Sequence, residues 1–481
     1  MTQADIITIL PLIIVVAWAV VLLLIDLWIP KRRKGITAVL AAAGLAVTLG
    51  FVLRQSGSVL TAANGMVVVD GFSSTMSMIF LVSGLAAIAL AYDYLQRMSI
   101  ERGEYYILLM FSIAGMMLMA SAYDLIVVFL ALELLSIPLY ILAGFARPRP
   151  DSEEASLKYF LLGAFASGFV LYGTALVYGA TAHTDFLRIS QSLVDGQANP
   201  YLLLAGAGLI LVGFGFKVAA VPFHHWAPDV YQGAPSPVTG FMSVAVKAAG
   251  FAALLRVFIT AFGGLAVDLT PILYTLAALT MLGGNVLAVA QTNIKRLLAY
   301  SSIANAGYLL MAFVPYGNGA VLSDSVASAL FFLVGYGLTS IGAWAVVVAL
   351  EQVEGKGLEL KDFAGLARKY PWLALAMLIC MLSFTGVPLT LGFWGKFYLF
   401  RTAVLGGYTS LALIGLVTSV ISAYYYLRVV VMMYMRAGEP QAADDVWVRF
   451  TAVVAALAVL GFGFIPGPLL EMAAHAILRL Q

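Results

Sequence analysis

Fourteen long apolar runs set the limits on what this chain can fold into. They lie at about 6–29, 36–54, 72–92, 105–122, 124–146, 155–181, 202–226, 237–262, 271–291, 298–315, 325–350, 371–400, 408–435 and 449–469. A helix needs about 20 apolar residues to cross the hydrocarbon core of a bilayer. The runs are continuous rather than alternating, which argues against β-barrel strands. They predict an all-α polytopic membrane protein of about fourteen transmembrane helices. Composition agrees: 62% of the 481 residues are hydrophobic and 10% charged, against roughly 25% charged in soluble domains. A cytosolic enzyme, a secreted disulfide scaffold and a nucleic-acid binder are therefore excluded. The net charge of +2 leaves no basic excess for phosphates. Cys380 is the single cysteine, so this chain alone builds no disulfide or iron–sulfur site. His183, His224, His225 and His475 show no metal-ligand spacing. Residues Met1–Asp5 lack lysine and arginine, so the first run reads as a retained span rather than a signal peptide.

Lysine and arginine counts orient the spans. Of 26 such residues, sixteen fall in one set of alternate loops and four (Arg54, Arg188, Arg401, Arg479) in the other set with both tails. The remaining six are Lys158, Lys217, Lys247, Arg256, Lys396 and Arg428, within spans. This bias places the first set in the cytoplasm and both termini outside. Spans 105–122 and 124–146 are joined by almost nothing, so they should be antiparallel neighbours.

Prolines interrupt three spans: Pro138 in span 5, Pro222 in span 7 and Pro388 in span 12. Each lacks an N–H and leaves the carbonyl four residues earlier (Leu134, Val218, Phe384) without its helical partner. Lipid tolerates this only where protein or water satisfies the carbonyl. Spans 7 and 12 share Val-Pro, a nearby lysine and a tryptophan, and read as broken helices. They lie five spans apart. Spans 4–8 and 9–13 then form two five-helix units entering from opposite sides, an inverted repeat. The corresponding divisions are 1–104, 105–262, 263–435 and 436–481.

Charges within the spans carry the functional signal, because each costs roughly 2.5–3.5 kcal/mol at mid-membrane. Glu133 lies inside span 5, Lys217 inside span 7 and Lys396 inside span 12. Lys247 is ten residues past Pro237, about 15 Å along a helix. Lys158 opens span 6, nearer the cytoplasmic surface. One reading is a proton relay in which Glu133 pairs with Lys217; the other is a static ion pair that fixes packing. His224, seven residues beyond Lys217, shares its face if the helix continues. It would pass protons or cap a freed carbonyl. His225, Trp226 and Trp394 read as interfacial or packing residues. Tyr300, Ser301, Ser302, Asn305 and Tyr308 form a polar stripe that lines a wet path or bonds helices together. Arg256 and Arg428, near span ends, are expected to snorkel. The run Gly213-Phe-Gly215-Phe-Lys217 is no phosphate loop, and its glycines fit close helix approach.

The segments Phe216-Lys217 through Val-Pro-Phe-His-His-Trp-Ala-Pro-Asp229, Thr292-Asn293-Ile-Lys295-Arg296, Leu-Glu133-Leu-Leu-Ser-Ile-Pro and Gly386-Val-Pro-Leu-Thr-Leu-Gly-Phe-Trp-Gly-Lys396 resemble the antiporter-like subunits of respiratory complex I. The resemblance covers essentially the whole chain. Lys396 sets it apart from one subunit type, which carries glutamate there. The end at Gln481 sets it apart from another, which has a long lateral helix. Asn293 stands where some relatives have aspartate.

The resemblance implies Glu133, Lys217, Lys247 and Lys396 as proton carriers, with Lys158 as a further candidate. It implies a pumping module coupled to NADH oxidation and quinone reduction elsewhere. FMN and iron–sulfur clusters are expected in partner subunits and no cofactor in this chain. The expected partners are other membrane-arm subunits, the bilayer and protons, in a bacterial inner membrane with both termini periplasmic. Two other functions compete: a cation/proton antiporter subunit, and a non-conducting scaffold of the membrane arm. A lipid or sugar flippase is more distant, because it has no need of buried lysines.

Overall fold

A computed structural model describes residues 2–476, so Met1 and residues 477–481, including Arg479, lie outside the described residues. Every one of the fourteen apolar runs carries helix. Among the described residues, eleven helices are long and apolar enough to cross a membrane. Leu10–Asp26 and Pro371–Thr385 are shorter apolar helices, and Ile294–Phe313 starts on two charged residues. Aspartate and asparagine start several of them, as N-cap chemistry requires. Asp124 accepts from the amide of Ile126, Asn199 from Tyr201 and Leu202, and Asn293 from Lys295 and Arg296. Asn293 also donates to Glu359 at 3.4 Å, which answers how that loop is tied without an aspartate.

The alternate loops gather into two layers. In one, Lys34 pairs with Asp26 at 2.6 Å, Arg97 reaches the carbonyl of Val348 at 2.8 Å, and Ile294 donates to Leu358. In the other, Tyr123 donates to Met66 and Leu125 to Thr184. A small antiparallel hairpin, Leu60–Ala62 with Val67–Val69, sits in this second layer; the apolar pattern gave no sign of it. Helices Glu104–Ser121 and Leu125–Ala143 are indeed packed neighbours. Pro138 lies within Leu125–Ala143 without ending it.

Glycine sets how closely two helix pairs approach. A Cβ on Gly115 would stand 2.3 Å from the backbone nitrogen of Leu135, and one on Gly284 2.5 Å from that of Ala304. Neighbouring backbone cannot yield to such an atom. Arg256 corrects an expectation. It does not snorkel: it is 1% exposed and binds Asp70 through two hydrogen bonds of 2.7 and 2.9 Å. Asp70 caps helix Gly71–Arg97 with a capping box, so the pair ties that helix start to Lys247–Thr260. The planar guanidinium also lies over the Phe72 ring at 5.0 Å.

Two stability outcomes follow. Gly115→Ala should destabilise the folded chain by about 1–3 kcal/mol through overpacking, while Gly208→Ala, which meets nothing within 4 Å, should be silent. Arg256→Met should cost about 3–5 kcal/mol, because it strands a buried carboxylate. Thermal unfolding of the detergent-solubilised protein reads both; equal melting of the two glycine variants would contradict the first.

Candidate functional site: a buried lysine row

Span 7 is broken as its sequence demands. Helix Pro200–Val218 ends at Ala219, whose φ of 58° turns the chain out of the helix. Ala219 and Ala220 donate back to Phe216 and Gly215, closing the end. The carbonyl of Phe216 also accepts from Trp226 Nε1 at 2.9 Å. Trp226 is buried and stacks on Tyr159 at 4.7 Å, so it is a packing and capping residue rather than an interfacial one. Val221 donates to Thr280 Oγ1 at 2.9 Å and anchors the break to helix Ala266–Val289.

Lys217 is the penultimate residue of that first half and is 4% exposed. Its Nζ donates to Ser136 Oγ at 2.8 Å and to Tyr159 OH at 3.3 Å. The expected direct pair with Glu133 is not formed: no contact between the two falls within ion-pair distance among the described residues, and Glu133 Oε1 is buried without a hydrogen-bond partner. Ser136, three residues along the same helix, takes the amine instead. Glu133 remains the carboxylate whose charge acts on Lys217.

Lys247 follows a π turn, Met242–Val246, that widens span 8. Such turns are frequent at functional sites. Its Nζ donates to the carbonyl of Ser302 at 2.5 Å. One turn further, a Cβ on Gly250 would lie 3.6 Å from Lys217 Cγ, so the two lysines sit on touching helices.

Span 12 divides into Pro371–Thr385 and Leu391–Leu405, with Gly386 at φ 89° ending the first half. Lys396 lies in the second half and folds back on the first. Its Nζ donates to the carbonyls of Phe384 at 2.8 Å and Thr385 at 3.1 Å, and to Ser419 Oγ at 2.8 Å. The carbonyl freed by Pro388 thus receives a cation at a helix C-terminus, where positive charge is favoured. Lys396 also lies over the Tyr308 ring at 5.0 Å. A small cavity beside it is lined by Asn305, Tyr336, Thr339 and Ser383, the last two bonded at 2.8 Å.

The span 10 stripe is buried except for Tyr300. Ser301 bonds Tyr426, Asn305 donates to the carbonyl of Ser301, and Tyr308 interacts with Asn285 and Thr418. These groups join helices and also line the surroundings of Lys396 and Lys247. Arg428 caps the end of Ala266–Val289 through the carbonyls of Val289 and Gln291. Gly213 does serve close approach, facing the carbonyl of Ala166.

Two candidates stand apart from the row. His224 is not on the Lys217 face, because the helix stops at Val218 and His224 lies in the break, its ring 4.5 Å from the exposed His225. Its Nδ1 is buried without a partner, and it caps no carbonyl through that atom. Lys158 lies in the loop layer, half-exposed, 2.7 Å from both Glu154 and Asp229. Arg296 completes this cluster at 2.7 Å from Asp229. Partial burial pushes the Asp229 carboxyl up, but the hydrogen bonds from Lys158 and Arg296 outweigh it and hold it below the usual carboxylate range. Sequence reasoning missed several buried charged groups, among them Asp70, and two of these lie close to the row. Lys295 is 1% exposed and donates to the carbonyl of Ala234 at 2.6 Å; Glu351 is fully buried and accepts from Tyr94 OH at 3.0 Å. Both sit at the margins of apolar runs, where hydropathy does not separate a loop from a buried layer. Among the described residues, no group of three His, Cys, Asp or Glu side chains could hold a metal ion.

Comparison with known proteins places this geometry. Residues 122–422 match the membrane family described as NADH:quinone oxidoreductase/Mrp antiporter. The chain is 45% identical to NADH-quinone oxidoreductase subunit N 2 of Roseiflexus castenholzii, covering 97% of this chain and 95% of that one. It is also 45% identical to subunit N of Chloroflexus aggregans, covering 98% and 96%. Among solved structures, a chain of respiratory complex I from Thermus thermophilus with bound aureothin superposes with a TM-score of 0.83 at 38% identity, covering 96% of this chain and 99% of that chain. A chain of the Mrp complex from Dietzia sp. shares the fold, with a TM-score of 0.86 at 20% identity over 99% of this chain and 97% of that chain. The chain therefore belongs to the NADH:quinone oxidoreductase/Mrp antiporter membrane family and, within it, to the group of NADH-quinone oxidoreductase subunit N.

Proposed function

We propose that this chain is a proton-translocating membrane-arm subunit of an NADH–quinone oxidoreductase, carrying protons along Glu133, Lys217, Lys247 and Lys396. One observation carries the reading. The hydrogen bonds of the amines of Lys217, Lys247 and Lys396 go to hydroxyls and backbone carbonyls, not to carboxylates. A static scaffold would pair such charges, because an ammonium left without a counter-charge in the interior is expensive. An amine that can shed its proton is what proton carriage needs, and ionisable groups inside spans mark such pathways. Lys158 and His224, at the loop layer and in the break of span 7, are candidate exchange groups at the margins of the row. Electron transfer, FMN and iron–sulfur clusters belong to partner subunits in this reading.

Fourteen crossings in two inverted five-helix units, 105–262 and 263–435, with 1–104 and 436–481 outside them, account for the helix pairing. In each unit the first and second helices meet through a glycine, Gly115 in one and Gly284 in the other. In each, the fourth helix is broken at Val-Pro after a left-handed residue, Ala219 or Gly386. The sixteen-to-four lysine and arginine bias puts the lysine-rich loop layer in the cytoplasm of a bacterial cell and both termini in the periplasm.

In the assembled complex reconstituted into vesicles, Lys217→Ala, Lys247→Ala and Lys396→Ala should each lower proton translocation at least about tenfold, with assembly intact. Full pumping in all three, or Na⁺/H⁺ exchange without an electron donor, would reject the reading. For orientation, the buried Cys380 gives a silent background. A cysteine replacing exposed Gln441 should react with a membrane-impermeant maleimide only from the cytoplasmic side, and one replacing exposed Ser56 only from the other. The reverse pattern would invert the topology.

A further inference from the structure

Between the loop layer and Lys247 lies a second set of buried charges that the lysine row does not use. Glu351 ends helix Leu322–Leu350 and is fully buried. Helix C-termini disfavour carboxylates, so its charge needs local support. Tyr94 OH donates to Oε2 at 3.0 Å. Oε1 has no hydrogen-bond partner, and the nearest cation, Arg149 Nη1, stays 3.8 Å away. Arg149 is about a quarter exposed, so it faces the loop-layer solvent. Lys295, 1% exposed, acts electrostatically on the same carboxylate, while its Nζ donates to the carbonyl of Ala234. Glu351 thus has Arg149 at 3.8 Å and an electrostatic influence from the buried Lys295, with a hydrogen bond from neither.

The inner cation leads to the row. Lys295 and Ser302 are seven residues apart on helix Ile294–Phe313, hence on one face. The carbonyl of Ser302 is the acceptor of Lys247. Buried polar atoms without partners mark this direction as well: Glu351 Oε1 and Ser236 Oγ. Ser236 backbone meets Tyr94, and the hydroxyls of Tyr231 and Tyr336 both face Ser302. A purely structural clamp has no need of unfilled acceptors at successive positions.

We propose that Glu351 is the proton-exchange group of the loop face, alternating between Arg149 and Lys295 and delivering protons toward Lys247. A proton from loop-face water forms an O–H bond on the Glu351 carboxylate; that bond then breaks and a new N–H bond forms on the neutral Lys295 amine, leaving Glu351 ionised and ready to pair again with Arg149. No electron moves. The inference rests on the proton-carrying reading of the row. The other charged groups close to this step are Asp151, which acts on Lys295, and Arg97, which binds the Val348 carbonyl beside Asp445.

The test uses the assembled complex in vesicles, with proton translocation followed against pH. Glu351→Gln keeps the shape and an acceptor for Tyr94, and should lower translocation several-fold, while Glu351→Asp retains most of it. Arg149→Met removes a cation beside the carboxylate, favours its protonated form, and should shift the pH profile upward. Wild-type rate and profile in Glu351→Gln would overturn the proposal. If Glu351→Gln does not assemble, Arg149→Met decides: an unshifted profile overturns it and an upward shift supports it. An equal loss in Arg149→Met and Glu351→Gln with both profiles unshifted identifies a structural clamp and also overturns it. Loss of pumping in Lys247→Ala alongside a normal Glu351→Gln would reject this step and leave the row standing; normal pumping in both would reject the row itself.

Discussion

An amine inside a bilayer-spanning helix needs acceptors, and an intact helix offers few, because its carbonyls are already bonded within the helix. This constraint organises the structure. Of the three lysines of the row, Lys396 draws its acceptors from a helix break. Lys396 reaches back over its own break to the carbonyls of Phe384 and Thr385, whereas Lys217, just before the break in span 7, is held by the hydroxyls of Ser136 and Tyr159 on neighbouring helices. Lys247 solves it beside a π turn and borrows the Ser302 carbonyl from the next helix. Irregular backbone holds the Lys396 charge, and acceptors on neighbouring helices hold the other two.

The remainder of the fold keeps these irregularities in place. Trp226 fills the Phe216 carbonyl and stacks on Tyr159, which itself binds Lys217. Ser136 Oγ accepts from Lys217 and donates to the Leu132 carbonyl, and the Glu133 charge acts on Lys217 without a shared hydrogen bond. Close approach at Gly115 and Gly284 brings the helices carrying Glu133 and Ser302 against their neighbours. The buried Arg256–Asp70 pair holds the far end of the Lys247 helix.

The parts legible in the sequence are those where one residue conflicts with its surroundings. A lysine in an apolar run and a proline in mid-span both announce themselves, and so spans 7 and 12 and all three lysines of the row were readable. Failures came where pairing depends on contacts distant in sequence. Asp70 and Arg256 are 186 positions apart, and nothing local links them. The shared face assigned to Lys217 and His224 assumed a continuous helix across Pro222, and the break removed it. Glu351 and Lys295 adjoin other polar residues at the ends of runs, so hydropathy merged them with the loops although both are buried.

In the proposed proton path, Lys217, Lys247 and Lys396 are members of one hydrogen-bonded line rather than three isolated charges. A high-resolution map of the assembled complex in the lipid bilayer tests this most directly. The account predicts ordered solvent or polar side chains bridging Lys217 to Lys247, and Lys247 through Ser302 and Tyr336 to the cavity beside Lys396. Apolar packing that separates these amines in every observed state would contradict it.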